Sequence, residues 1–144
     1  MIEPPPFVQP PAVAVRDLRK VYGIRAAVDG LTLTVPRGCF FGFLGPNGAG
    51  KTTTIKMLMG LAAPTAGEIE MLGLRMPDDA VAIKRQIGLV PDDTLLFDQL
   101  TGPEFLEFSG RLYGLAPDLA RERSRELLAL FEMDGHGQKL IGEY

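Results

Sequence analysis

The sequence predicts an α/β fold, and three patterns along its 144 residues support that prediction. Residues 31–35 alternate strictly between apolar and polar side chains, which is typical of a strand with one solvated face. The apolar run 39–44 leads through a glycine-rich loop into a helical apolar pattern after residue 51. From Thr101 onwards the pattern is helical. We therefore expect a β-rich first part, antiparallel in part, followed by a helical segment.

The strands and turns before the loop follow from local composition. Residues 1–11 contain five prolines, which exclude a helix or a central strand and predict a disordered, extended arm. Strands are predicted within 12–22 and at 31–35, and a turn at 36–38 leads into 39–44. Because both faces of 39–44 are apolar, we expect a short, centrally buried strand there, with Cys39 as a small buried side chain.

The glycine-rich loop matches the pattern G-x-x-x-x-G-K-[ST], whose backbone N–H groups cradle nucleotide phosphates. It consists of Gly45, Pro46, Asn47, Gly48, Ala49, Gly50, Lys51 and Thr52. Lys51 supplies a fixed positive charge for the terminal phosphates, and the Thr52 hydroxyl is a ligand for the accompanying Mg²⁺. The helix that begins near Lys51 adds its positive dipole end. The alternative is a strand-to-helix turn that holds a lysine by chance, but the predicted strand before it and helix after it favour nucleotide binding.

Downstream of the loop, helix and strand patterns alternate. The first helix should bury four apolar side chains at helical spacing: Ile55, Leu58, Met59 and Ala62. A turn at 64–67, an alternating strand at 68–72, a short helix at 78–85 and a short buried strand at 87–90 follow.

Two helices are predicted after residue 101. Thr101 and Glu104 form a capping box that opens the first, and Gly114 closes it. Its apolar face should hold Phe105, Leu106, Phe108, Leu112 and Tyr113. The second helix should run from about Pro117 to Met133, with contacts between Glu122 and Arg125 on a solvated face and three inward side chains: Leu127, Leu130 and Phe131.

Composition limits the classes of partner. The net charge is −3, so the sequence carries no electrostatic signature of nucleic-acid binding. No run approaches the ~18 apolar residues that a membrane-spanning helix needs, and the first residues do not form a secretory signal. A single cysteine cannot form an intramolecular disulfide, which suits the cytosol.

The loop and its surroundings resemble the nucleotide-binding domain of ATP-binding cassette (ABC) transporters, most closely that of bacterial exporters of the multidrug or polysaccharide type. The longest match is 41–54, which reads FGFLGPNGAGKTTT. The segment 64–69 is similar to the turn after the family's first helix, and 87–91 to the strand before its Q-loop. Leu100, Thr101, Glu104 and Leu106 resemble the entry to its helical subdomain.

The resemblance implies roles for residues outside the loop. Tyr22 matches the aromatic side chain that stacks on adenine; the alternative is a strand-end tyrosine packed on the core. Asp92 falls at the Q-loop position, where the family usually has glutamine or glutamate that coordinates Mg²⁺ and senses the γ-phosphate. Asp93 is a competing candidate, and both can instead form a solvated acidic turn. His136 is not the family's switch histidine and is expected in an exposed loop.

The resemblance also implies a P-loop NTPase fold of ABC type with three parts: a disordered arm at 1–11, a nucleotide-binding core at 12–91, and a Q-loop and helical subdomain at 92–144. By this resemblance the chain holds the phosphate-binding half of an ATPase that uses ATP and Mg²⁺. That half consists of Lys51, Thr52 and the backbone of 47–53, which includes Thr53. We expect the sequence to stop before the signature motif and the water-activating carboxylate, so that this chain alone is inactive.

The implied function is to couple ATP binding and hydrolysis to export. The implied partners are ATP or ADP, a second cassette subunit, and a membrane permease contacted through the helical segment. The protein would be cytoplasmic and peripheral on the inner face of the cell membrane. Two alternatives stay open. The first is a nucleotide-binding module without turnover, and the second is a cytosolic ABC ATPase unconnected to transport, or a different phosphate-loop enzyme.

Overall fold

The computed structural model describes residues 9–90, 97–133, 135 and 139–143. It divides into two compact units between Leu89 and Val90. The first unit contains strands β1 (Val13–Tyr22), β2 (Arg25–Val35), β3 (Ala66–Met71) and β4 (Leu74–Met76) and helices α1 (Lys51–Leu58) and α2 (Ala80–Lys84). The second contains helices α3 (Gly102–Leu112) and α4 (Pro117–Leu130) and a 3₁₀ turn at Ile141–Glu143.

The first unit is built on a four-stranded sheet in the order β2-β1-β3-β4, in which each neighbouring pair is antiparallel. Tyr22 pairs with Arg25 at the β1–β2 turn, and Val13 pairs with Val35 at the far end. The predicted strands at 12–22, 31–35 and 68–72 are therefore present, with β2 longer and β3 beginning earlier than their patterns indicated.

The core of this unit lies where α1 and α2 meet one face of the sheet. The sheet contributes Val15, Leu18, Val28, Ile69 and Met71, and the helices contribute Met57 and Ile83. Each of these buried side chains stabilises the fold by roughly 1.5–3 kcal/mol relative to an exposed one. This packing holds α1, and therefore the loop before it, against the sheet.

Several predictions about the first unit are wrong in detail. Of the four side chains predicted to be buried by the first helix, Leu58, Met59 and Ala62 pack partly buried against the core, whereas Ile55 is exposed. The fully buried residues of α1 are Thr54 and Met57. The predicted turn at 64–67 ends earlier, because β3 already includes Ala66 and Gly67. A Cβ at Gly67 would lie 2.5 Å from the carbonyl oxygen of Asp17, so this glycine serves the close approach of β3 to β1.

The two predicted buried strands at 39–44 and 87–90 are not strands in the structure. Phe40 and Leu44 are almost fully exposed, as is Val90, and Cys39 is also exposed. A strand persists only when neighbours complete its hydrogen-bond ladder, and no strand of the described residues pairs with either segment. An apolar composition alone therefore does not produce a strand here.

The helical unit confirms the predicted capping box. Thr101 Oγ1 accepts a hydrogen bond from the Glu104 N–H, and Glu104 Oε2 accepts from the Thr101 N–H at 2.8 Å. In the first unit, the short helix predicted at 78–85 is present as α2. Asp92, Asp93 and His136 lie outside the described residues, as does most of the arm at 1–11.

The predicted inward faces of α3 and α4 are largely wrong. Phe105 and Leu106 are half-buried, but the other predicted side chains are exposed: Phe108, Leu112, Tyr113, Leu127, Leu130 and Phe131. The buried positions of α4 are Ala120 and Ser124, and Ser124 Oγ donates to the Pro103 carbonyl of α3. The predicted contact between Glu122 and Arg125 is replaced by an ion pair between Arg123 and Glu126, with 2.6 Å between Nη1 and Oε2. Small side chains form the contact because they let the two helices approach closely.

Candidate functional site

The glycine-rich loop joins the exposed segment 39–44 to the first residue of α1. Gly48 and Gly50 both adopt left-handed conformations, with φ of +83° and +88°. The Ala49 N–H donates to the Pro46 carbonyl at 3.2 Å, which closes the turn between them. Anion-binding loops have windings of this kind, in which successive backbone amides face one side.

Gly50 is also the residue that fits the loop to the sheet. It is the N-cap of α1, and a Cβ at this position would lie 2.4 Å from the Ala27 carbonyl oxygen and 3.0 Å from Val28 Cγ2. The glycine therefore lets the start of α1 lie directly on β2. The sequence pattern indicates a glycine here, but it does not reveal this contact with the sheet.

Lys51 folds back across the loop. Its Nζ donates to the carbonyl oxygens of Gly45 and Pro46, the second at 2.8 Å. An ammonium group has three donors, so two bonds to the loop leave one for an anion. The structure thus brings Lys51 together with the first two residues of the predicted phosphate loop.

The first turn of α1 is suited to an anion. Gly50 has no side chain to cap the helix, and the first turn contains no acidic residue, so its backbone N–H groups and its dipole are not opposed by a carboxylate. Thr52 is exposed at the second position of the helix, and Thr53 is partly buried. Thr54 is 2% exposed, and its Oγ1 donates to the Gly50 carbonyl at 3.0 Å. Thr54 is therefore structural, and its spacing of four from Gly50 is the sequence signal for this bond.

A cavity of about 580 Å³ lies between β2 and the loop. Its lining residues include Ala26 to Thr32 of β2, with Ala49 and Lys51 of the loop region and Thr54 of α1. Ala26, at one end of this lining, pairs with Val21, which is the residue before Tyr22. The cavity therefore begins close to the end of β1 that carries Tyr22. Its volume is in the range of small-molecule sites.

Tyr22 lies at the end of β1 and is 51% exposed, so it does not pack into the core. The Nζ of Lys20 lies 4.9 Å from its ring centroid. Sequence analysis did not single out Lys20, although its position two residues before Tyr22 places both side chains on one face of the strand. Asp92, the remaining predicted site residue, is not among the described residues.

The described residues contain no cluster of three or more histidine, cysteine, aspartate or glutamate side chains that could hold a metal ion. The chemistry still fits Mg²⁺, because this ion is commonly held by one or two protein oxygens, substrate phosphates and water. Thr52 Oγ1 is the protein oxygen that the loop offers. Among the helices that the structure describes, none is both long and apolar enough to cross a bilayer.

Comparisons with known proteins agree on one family. A family model described as ABC transporter matches residues 28–143. The daunorubicin resistance ATP-binding protein DrrA3 of Streptomyces coeruleorubidus is 42% identical over 133 residues, which are 92% of this chain and 42% of that protein. The Nod factor export ATP-binding protein I of Ralstonia nicotianae is 41% identical over 124 residues, which are 86% of this chain and 39% of that protein. The chain thus spans about two fifths of the length of these curated relatives.

Two solved structures show the same fold. An ATP-binding subunit of an ABC transporter superposes with a TM-score of 0.75 at 31% identity, over 92% of this chain and 55% of the other. A dimeric ATP-binding cassette in a post-hydrolysis state with ADP and Pi superposes with a TM-score of 0.78 at 23% identity, over 92% of this chain and 62% of the other. The second likeness concerns the fold alone.

Proposed function

Because this chain belongs to the ABC transporter family, we propose that it binds MgATP and forms the phosphate-binding half of an export ATPase. One observation carries the proposal. The first turn of α1 has neither a capping side chain nor an acidic residue, and the Lys51 ammonium is held beside it by the carbonyl oxygens of Gly45 and Pro46. This arrangement provides backbone donors, a helix dipole and a fixed cation for a polyphosphate.

The loop and two residues outside it have separate roles in the proposal. The backbone N–H groups of 47–53 surround the β- and γ-phosphates, and Lys51 neutralises their charge. The Thr52 hydroxyl would be a ligand for Mg²⁺, which would supply positive charge next to the phosphates. Tyr22 provides a flat aromatic surface for the adenine. Asp92 is proposed at the Q-loop position as a further oxygen ligand near Mg²⁺.

The proposal for the whole protein is ATP hydrolysis coupled to export through a membrane permease. Its support is that the similar proteins are named as ATP-binding proteins of drug resistance and of Nod factor export. We further propose that 92–144 contacts the permease, that a second cassette subunit completes the site, and that the protein lies on the cytoplasmic face of the membrane. Catalysis of phosphoryl transfer consists mainly of positioning and electrostatic stabilisation, which are the contributions that this loop can make.

Replacing Lys51 by alanine tests the proposal. The substitution removes the cation from the phosphates, and charge-assisted hydrogen bonds contribute about 1.5–3 kcal/mol each. We therefore expect Lys51→Ala to weaken MgATP binding at least about tenfold in isothermal titration calorimetry. Lys56→Ala is the matched control, because Lys56 lies in the last turn of the same helix and its loss should leave affinity unchanged.

The fold of both variants is checked by circular dichroism, since Lys51 also bonds to the loop carbonyls. Equal MgATP affinity in the wild type and in a folded Lys51→Ala variant would contradict the proposed function.

A further inference from the structure

A lysine adjacent to the proposed adenine platform has no role in the scheme above. Lys20 and Tyr22 are two residues apart on β1, so their side chains stand on the same face of the sheet. The Lys20 Nζ lies 4.9 Å from the centre of the Tyr22 ring. This is within the ~6 Å over which a cation is attracted to the face of an aromatic ring.

The Lys20 ammonium is fixed from its other side. Its Nζ donates to the Ala63 carbonyl at 2.6 Å, in the segment that joins α1 to β3. That segment is itself bonded to β1, because the Thr65 N–H donates to the Arg19 carbonyl at 2.8 Å and Thr65 Oγ1 accepts from the Val21 N–H at 3.0 Å. A long, flexible side chain is thus held between a backbone acceptor and the ring.

Tyr22 keeps 51% of its surface exposed with Lys20 in place. A ring that is supported from one side and open elsewhere can accept a planar base without first becoming ordered. Preorganisation of this kind raises affinity because less conformational freedom is lost on binding.

We propose that Lys20 is a positioning residue for adenine recognition. Fixed by the Ala63 carbonyl, it supports one face of Tyr22 and so orients the ring for stacking on the base. This inference rests on the proposed function, since it assigns Lys20 to the base-binding part of the same nucleotide site. Lys20 acts through Tyr22, and it is distinct from the phosphate-binding residues 45–53.

The proposal predicts a loss that depends on the base. Lys20→Met keeps the length of the side chain and removes the charge, so the Tyr22 ring has to be ordered when the base binds, and ordering one side chain corresponds to about a two- to tenfold change in affinity. We expect MgATP binding to weaken by that factor in calorimetry, while binding of magnesium tripolyphosphate, which has no base, stays unchanged. Lys20→Arg should restore MgATP affinity, because guanidinium can also lie over the ring and donate to Ala63.

A double-mutant cycle separates positioning from a general structural role. In a Tyr22→Ala background, Lys20→Met should weaken MgATP no further, because no ring remains to be oriented. The proposal is overturned if Lys20→Met weakens both ligands equally, or if its effect persists without the tyrosine. Either result would mean that Lys20 only ties β1 to the segment containing Ala63.

A ligand-free measurement keeps the inference separate from the proposed function. The chain has no tryptophan, so a Tyr22→Trp variant carries a single indole reporter. Adding Lys20→Ala should increase quenching of its fluorescence by acrylamide, whereas adding Lys56→Ala should not. If the wild-type chain fails to bind tripolyphosphate, the proposed function fails. The quenching measurement still decides whether Lys20 covers the ring, because it needs no ligand. Unchanged quenching in the Lys20→Ala variant overturns the inference.

Discussion

At the scale of single residues, two glycines of the same loop meet different constraints. Gly48 and Gly50 both have left-handed backbones, which cost an alanine roughly 1–2 kcal/mol. A Cβ at Gly48 would meet nothing within 4 Å. A Cβ at Gly50 would lie 2.4 Å from the Ala27 carbonyl oxygen, so either β2 or the start of α1 would have to move.

We therefore expect Gly50→Ala to lower the free energy of unfolding by clearly more than Gly48→Ala does. The second variant should lose roughly 1–2 kcal/mol, which is the conformational cost alone. Urea denaturation of both variants and the wild type measures the difference. Equal losses would show that the packing of Gly50 on β2 does not contribute to stability.

The residue scale also shows what a sequence pattern contains and what it leaves out. The pattern locates the loop, and the structure places Lys51 against Gly45 and Pro46 within it. The pattern does not reveal that Gly50 lies on Ala27 or that the Lys20 ammonium donates to the Ala63 carbonyl beside Tyr22, because these two contacts join segments distant along the chain. The roles of Tyr22, Thr52 and Asp92 stay predictions.

At the scale of elements, local signals predict structure well where the partner is also local. The capping box is confirmed because both of its hydrogen bonds lie within four residues. The segments 39–44 and 87–90 fail as strands because strand formation depends on neighbours that composition does not identify. In α4, the pattern favours the large residues Leu127 and Leu130 as the inner face, whereas close approach to α3 selects Ala120 and Ser124.

The capping box gives α3 a pH-dependent contribution to stability. Hydrogen bonds from the Thr101 N–H and hydroxyl hold the pKa of Glu104 below its usual value. A carboxylate whose pKa is lowered by folding stabilises the folded state above its unfolded pKa of about 4.3. That contribution is lost as the pH falls through the lower, folded-state pKa.

We expect Thr101→Ala to cost about 1 kcal/mol at pH 7, as for other N-cap threonines. Glu104→Gln should reduce the acid-dependent part of the loss of stability, and Glu122→Gln, which removes an exposed charge of α4, serves as its control. Thermal unfolding followed between pH 7 and pH 3 tests both expectations. An unchanged acid dependence in Glu104→Gln would exclude the box as its source.

At the scale of the whole molecule, the predicted fold class is confirmed. The family match over residues 28–143 and the two superposed structures identify an α/β fold of the ABC ATP-binding type. The sequence predicts a β-rich first part that is antiparallel in part, but it does not predict the order of the strands. Alternation identifies strands and not their neighbours in a sheet. In the structure β1 pairs with β2 on one side and with β3 on the other, and β3 pairs with β4, which gives the order β2-β1-β3-β4.

The segment 39–44 leaves large apolar side chains on the surface of this chain. Phe40 is 102% exposed and Leu44 is 91% exposed, and Phe41 next to Phe40 is 44% exposed. Contiguous apolar surface of this kind favours association, and the unpaired backbone of an extended segment can add to it by pairing with another chain. We expect the purified chain to self-associate, with an average mass that rises above the 15.6 kDa of the monomer as concentration increases.

Sedimentation velocity over a concentration series measures this association. The double variant Phe40→Ser, Leu44→Ser should shift the distribution towards the monomer, because it removes two of the most exposed apolar side chains of the segment. Ile24→Ser is the matched control: Ile24 is equally exposed, but it lies in the turn between β1 and β2 and outside the apolar run, so its loss should leave association unchanged. A wild-type chain that stays at the monomer mass at every concentration would contradict the expectation. Equal effects of the two variants would mean that general surface hydrophobicity, rather than the run at 39–44, drives the association.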